Sequence, residues 1–330
     1  MLRFVLRRIV YIIPTLIAVS LISFFVIALP PGDFVDRMAI EAAKKGDYMT
    51  GPEIEALRSA YGLDQPLLTQ YWRWITDIVT RGDFGYSFSW QMPVSNLIWQ
   101  RLGLTTILSL ASLVFIWIVA IPIGIYSAVR RYSLQDYVFT TLGFFGVAVP
   151  NFLLALVLMY VAYAHFGQAV GGLFSPQYIE APWSIDRVLD LLGHLWIPMV
   201  VLGTAGTASV IRTIRANLID ELPKPYVMAA RSKGMRETRL LIKYPVRQAL
   251  NPFVSGMNDI FVDLVSGSTI VSIVLGLQTT GPLLLDALKT QDMHMAASFI
   301  LMLSVLGVIG TLVSDLLLAW LDPRIRYAQG

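Results

Sequence analysis

The chain has no cysteine, three histidines and only 14% charged residues among its 330 positions. The missing thiols exclude disulfide frameworks, thiolate zinc sites, iron–sulfur clusters and cysteine nucleophiles together. His165, His194 and His294 fall near the ends of apolar runs and form no ligand cluster, so no metal site is expected. Also absent are a Gly-x-x-x-x-Gly-Lys-Ser/Thr stretch, a His-Glu-x-x-His pair and a Gly-x-Ser-x-Gly turn. Without the first there is no phosphate-cradling loop, and the chain itself is not expected to hydrolyse ATP. No catalytic, cofactor-binding or metal-binding residue is expected on it, and no nucleic-acid partner.

What is present is apolar: 56% of residues are hydrophobic, whereas a soluble domain carries about 25% charged residues. Crossing about 30 Å of hydrocarbon takes about 20 apolar residues in a helix. Five uncharged or nearly uncharged runs meet that length or come close to it: Ile9–Leu29, Leu104–Val129, Tyr137–Ala164, Leu195–Ile211 and Met295–Leu321, the last with Asp315 inside it. A sixth, Phe253–Leu277, contains Asp259 and Asp263. The first run follows Arg3, Arg7 and Arg8 as a signal core would. Its 21 residues and its Ala28-Leu29-Pro30-Pro31 exit, with no small-x-small site, make a retained helix the expectation.

Basic residues set direction, because short loops rich in Lys and Arg stay in the cytoplasm. With the N-terminus inside, the inner segments hold three (Arg3, Arg7, Arg8), two (Arg130, Arg131), nine between Arg212 and Arg247, and two (Arg324, Arg326). The two short outer segments hold Arg187 and Lys289. The expectation is an all-α integral membrane protein with six spans and both termini cytoplasmic.

The outer segment, residues 30–103, carries helix-forming stretches. Its Trp72, Trp74, Trp90 and Trp99 suit a headgroup interface or an extracytoplasmic partner. The inner segment 212–252 is long and basic, and loops of that length usually carry function. Pro223 and Pro225 interrupt a helix arriving from the membrane, a short helix can start at Tyr226, Gly234 stops it, and a second stretch runs from Glu237 to Leu250. Arg231, Lys233, Arg236, Arg239 and Lys243 would suit anionic lipid. Ala229 and Ala230 beside Gly234 instead offer a surface of little bulk, the form of a helix that enters another protein's groove. Asp259 and Asp263 share one helix face. Counted from Phe253, Asp263 lies about 15 Å in. The pair either bonds a neighbouring helix or lines a polar path.

Three stretches resemble a known family. They are Tyr226-Val-Met-Ala-Ala-Arg-Ser-Lys-Gly234 with Lys243-Tyr-Pro-Val-Arg-Gln-Ala-Leu-Asn-Pro252, the ending Asp315-Leu-Leu-Leu-Ala-Trp-Leu-Asp-Pro-Arg-Ile-Arg-Tyr327, and the outer Tyr61-Gly-Leu-Asp-Gln-Pro66 through Arg81-Gly-Asp-Phe-Gly-Tyr86. Together they look like the B-type permease subunit of bacterial ABC importers of the dipeptide, oligopeptide and nickel class. Where that family usually has a Glu and a Pro-Gly pair after the fifth helix, this sequence reads Ser272 and Gln278-Thr279. The departure bears on the substrate, since relatives carry oligosaccharides, opines, glutathione or nickel as well as peptides.

The resemblance implies a type I ABC importer permease fold in the bacterial inner membrane. Residues 1–102 would form a first helix with an extracytoplasmic region, and residues 103–330 a five-helix core containing the coupling segment. It implies a C-type homologous permease as partner, two ATP-binding subunits that hold ATP and magnesium, an extracytoplasmic substrate-binding protein, and surrounding lipid. Tyr226, Ala229, Ala230, Arg231, Lys233 and Gly234 would contact the ATPases. The competing readings are an ion-coupled secondary transporter using the intramembrane acids, and an assembly subunit without transport.

Overall fold

In hydrocarbon a backbone has to satisfy its N–H and C=O groups within its own segment, and each long apolar run accordingly folds as helix. The computed structural model describes the backbone of residues 2–167 and 171–321, and within those the side chains other than those of residues 2–9, 258, 261, 267, 268 and 319–321. The order begins α1 (Leu2–Ala28), α2 (Phe34–Lys44), α3 (Gly51–Tyr61), α4 (Leu67–Arg81), then the strands β1 (Tyr86–Ser87) and β2 (Met92–Pro93). It continues α5 (Val94–Val129), α6 (Leu134–Ala148), α7 (Asn151–Phe166), α8 (Ile185–Glu221), α9 (Pro225–Ser232), α10 (Glu237–Lys243) and α11 (Pro245–Ala249). The last are α12 (Asn251–Ser255), α13 (Met257–Val274), α14 (Thr280–Thr290) and α15 (Met293–Leu321). Residues 322–327 of the terminal motif, with Arg324 and Arg326, lie outside the described residues, as do the side chains of Arg3, Arg7 and Arg8.

Among the described residues, four helices are long and apolar enough to cross a membrane: α1 over Val10–Ala28, α5, α8, and α15 over Met293–Leu318. Two of the six expected spans take a different form. The run Tyr137–Ala164 is not one rod but α6 and α7, bent by 102°. Pro150 forces this, since a residue before proline is steered out of the helical region. Val149 sits at φ −81°, ψ 122° and Pro150 itself at φ −57°, ψ 132°, two extended residues in succession. The run Phe253–Leu277 is divided at Gly256 into α12 and α13, and Asp263 lies six residues, about 9 Å, into α13.

By contacts the chain groups into two compact units. Among the described residues, one holds 105–278 and 309–321 with residues 2–5, except for the undescribed 168–170; the other holds residues 6–104 and 279–308.

In the second unit, Phe24 of α1 packs with Tyr71 and Trp74 of α4 and with Ala297 and Leu301 of α15. Trp74 is 3% exposed, which corrects its expected place at a headgroup interface. It lies one turn from Tyr71 on the buried stripe of α4, and its Nε1 donates to Ser298 Oγ at 3.2 Å. Trp72, Trp90 and Trp99 are exposed.

Asp292, fully buried, ties the hairpin to the start of α15. Its carboxylate accepts from Ser87 Oγ at 2.6 Å, from Ser89 N at 3.1 Å and from Met295 N at 3.3 Å. Asp292→Ala should leave buried donors unanswered at about 1–3 kcal/mol each. The expected result is a lower thermal midpoint and faster proteolysis at residues 86–93. Asp292→Asn, which keeps an acceptor, should recover much of the loss; equal losses in both variants would show that the bonds are not the cause.

In the first unit α8 is central: α6, α7, α11, α12 and α13 all pack on it. Close approach explains two of the glycines. A Cβ on Gly146 would sit 2.7 Å from Thr204 Cγ2, and one on Gly206 2.6 Å from Ile116 Cδ1.

Candidate coupling surface

The chain leaves α8 at Glu221 and turns at once, because Pro223 and Pro225 cannot continue its hydrogen-bond ladder. Glu221 stays at the corner as an anchor. Its carboxylate receives Lys224 Nζ at 2.5 Å and the Tyr226 hydroxyl. Burial, and then the Glu221 carboxylate beside it, raise the Tyr226 phenol well above its ordinary range, so it remains a neutral donor.

The α9 and α10 helices are joined through Gly234 at φ +74°, a left-handed turn that L side chains resist. A Cβ there would meet no atom within 4 Å, so the requirement is conformational and not steric. Across the turn, Arg231 grips Glu237 with Nη2–Oε1 at 2.5 Å and Nε–Oε2 at 3.2 Å. That bond holds the Glu237 carboxyl below its usual range, so the pair survives at neutral pH and is lost only as pH falls through the lowered value. Both partners are exposed, and the pair serves alignment more than stability.

Beneath it, Val227 and Ala230 of α9 meet Leu240 of α10, with Met235 and Tyr244 at the edge. A second core joins Val246 and Ala249 of α11 to Ala128 of α5 and Leu218 of α8. The candidate coupling segment is thus fastened to the cores of two long apolar helices, α5 and α8. The expected second stretch Glu237–Leu250 is split between α10 and α11 at Pro245, with Tyr244 at φ −119°, ψ −80°.

Of the residues expected to face a partner, Tyr226, Ala229, Arg231, Lys233 and Gly234 lie on the exposed side. Ala230 does not: it is 8% exposed and belongs to the core of its own hairpin. This corrects the expectation of two small residues presented side by side. The offered surface is Ala229 and Gly234 flanked by Met228, which is half exposed, Lys233 and Arg236. Sequence reasoning passed over Glu221, Met228 and Glu237. Asp259 and Asp263 lie elsewhere, both exposed on α13 with Val262, Ser266 and Ile270.

A family model described as binding-protein-dependent transport system inner membrane component matches residues 120–327. The chain belongs to that family. A companion model for the N-terminal part of such membrane components matches residues 1–111. The permease is 33% identical over 325 residues to the oligopeptide transport system permease protein AppB of Bacillus subtilis, covering 98% of this chain and 99% of that one. It is 33% identical over 327 residues to the glutathione transport system permease protein GsiC of Escherichia coli K12, covering 99% and 100%. It is 34% identical over 328 residues to a putative peptide permease protein of Brucella ovis, covering 99% of each chain.

Among solved structures, the inward-facing MetNI methionine ABC transporter matches with a TM-score of 0.54 at 14% identity, over 68% of this chain and 96% of that one. The permease therefore has the type I ABC importer fold, all-α and multi-pass. Of the positions singled out near the end of the fifth expected span, Ser272 is fully buried in α13 and Thr279 precedes α14 as its N-cap residue.

Proposed function

We propose that this permease forms half of the translocation path of an ATP-driven importer for peptides. The substrate class is drawn from the oligopeptide, peptide and glutathione permeases it resembles along nearly its whole length. Its other half is a homologous C-type permease; two ATP-binding subunits, which carry ATP and magnesium, dock on the coupling surface, and an extracytoplasmic binding protein delivers substrate. Both termini are cytoplasmic in this reading, which follows the basic residues. The observation that carries it is the exposed face of α9 and Gly234 on a segment packed into the ends of α5 and α8. A partner that pulls on α9 would move those helices with it, converting ATPase closure into a change of access.

Asp259 and Asp263 supply a second support. An acid at membrane depth costs roughly 2.5–3.5 kcal/mol by insertion scales, and both lie on a surface of α13 that this chain leaves open. A partner permease or a water-filled path removes that cost. The test is reconstitution with the partner permease, the ATPases and the binding protein. Uptake of peptide should require ATP, and Asp263→Asn should change uptake while the complex co-purifies intact. Uptake driven by an ion gradient without ATP would overturn the proposal, and loss of assembly in Asp263→Asn would make the acid a structural one.

A further inference from the structure

The α6 helix, with Tyr132 just before it, and the facing side of α8 line an open cavity of about 280 Å³. Its walls include Tyr132, Tyr137, Phe144, Asp136, Arg212 and Arg215. Asp136 is 2% exposed and already answered. Arg215 donates to it twice, Nε to Oδ1 at 2.9 Å and Nη2 to Oδ2 at 2.7 Å, and the Tyr132 N–H adds a bond of 3.0 Å to Oδ2. Arg212, one turn earlier on α8, has no acid within ion-pair distance among the described residues; its guanidinium lies 5.9 Å from the centre of the Phe144 ring. The cavity therefore holds one positive charge in excess against aromatic walls.

Its position matters as much as its charge. Arg212 is the first charged residue after the apolar run Leu195–Ile211, which places it at a membrane boundary. Tyr132 and Tyr137, 70% and 58% exposed, have the amphipathic character of side chains at headgroup level. Phe144 lies seven residues, about 10 Å, deeper along α6. The Arg212 cation lies beside the exposed Phe144 phenyl, which forms the apolar half of the cavity, with the phenols of Tyr132 and Tyr137 nearer the boundary, and a phosphate joined to an acyl chain suits that juxtaposition. A free anion would gain nothing from the apolar half.

We propose that this cavity binds an anionic phospholipid, with Arg212 donating to the headgroup phosphate and Phe144 contacting the acyl chain. Arginine suits the task because its planar donors meet phosphate oxygens in pairs, and basic pockets between membrane helices are suited to such headgroups.

The test is native mass spectrometry of the assembled complex in detergent, titrated with phosphatidylglycerol or phosphatidylcholine of the same chains. Wild type should retain phosphatidylglycerol in preference. Arg212→Gln should lose about fivefold of that retention, equivalent to about 1 kcal/mol, and Arg212→Lys should keep most of it. Thr140→Trp, which fills the cavity with Arg212 in place, should also displace the lipid and covers the case in which Arg212→Gln fails to fold. Inorganic phosphate in excess should leave retention unchanged. Equal phosphatidylglycerol retention by wild type and Thr140→Trp, or displacement by inorganic phosphate, would overturn the assignment. So would a Thr140→Cys variant that cross-links to a cysteine on a partner subunit in the otherwise thiol-free chain, because the face would then be a protein interface.

Discussion

Ala229→Glu is expected to abolish ATP-dependent uptake while the chain still enters the membrane and pairs with its permease partner. The methyl group of Ala229 is exposed on α9, on the face proposed to meet an ATPase groove. A longer charged side chain there overpacks the contact, at about 1–3 kcal/mol, enough for about tenfold weaker docking before the buried charge is counted. Gly234→Val should act with it, since its φ of +74° is one a β-branched residue resists. Ala230→Glu is the wrong variant for this question: it places a carboxylate among Val227 and Leu240 and would disrupt the hairpin from within. Co-purification of the ATPases and uptake should both be measured on Ala229→Glu. If the segment instead serves lipid, Ala229→Glu would transport normally, and neutralising Arg231, Lys233 and Arg236 together would be the damaging change. Normal uptake by Ala229→Glu would end the coupling assignment.

The second large effect is on stability. Arg215→Ala should lower the thermal midpoint of the purified protein markedly, by a loss of about 3 kcal/mol, because it strands Asp136 in a site 2% exposed. What is lost is less the attraction itself than the neutrality of a buried carboxylate. Asp136→Asn combined with Arg215→Gln should therefore be more stable than Arg215→Ala alone. A double variant no better than the single one would show that the pair's role is packing.

Much of this architecture can be read from the chain, and the failures have identifiable causes. Helices in hydrocarbon announce themselves by length and lack of charge, but a helix need not end where hydrocarbon does. The α5 helix starts at Val94, ten residues before its uncharged run, because Leu97 and Ile98 are buried in the core formed with Leu283 and Phe299. Pro150 was visible all along. The uninterrupted apolar composition around it hid a bend that its backbone chemistry requires.

The start of α9 and its turn into α10 were legible through the prolines and Gly234, residues whose constraints are local. The orientation of Ala230 was not found, because alanine is equally at ease buried or exposed, and its side is set by Val227 one turn earlier and Leu240 across the turn. Glu221 and Glu237 escaped for a related reason. Each becomes a partner only once the chain reverses and brings it to Tyr226 or Arg231.

Thirty-seven unbroken residues give α8 a length of about 55 Å at roughly 1.5 Å per residue. It is one rod from the turn before α9 to the loop at its other end. There Arg187 stacks on Phe174 at 4.7 Å and on Trp183 at 4.6 Å, and donates to the carbonyls of Ile179 and Ala181. A tilt of about 5° about its midpoint would carry each end about 2.4 Å in opposite directions, given that rise per residue. The rod's single proline, Pro198, is the place where such a torque can be absorbed by bending. How stiff the helix is at Pro198 therefore sets how much of a push at the α9 end arrives as displacement of the loop that Arg187 clamps.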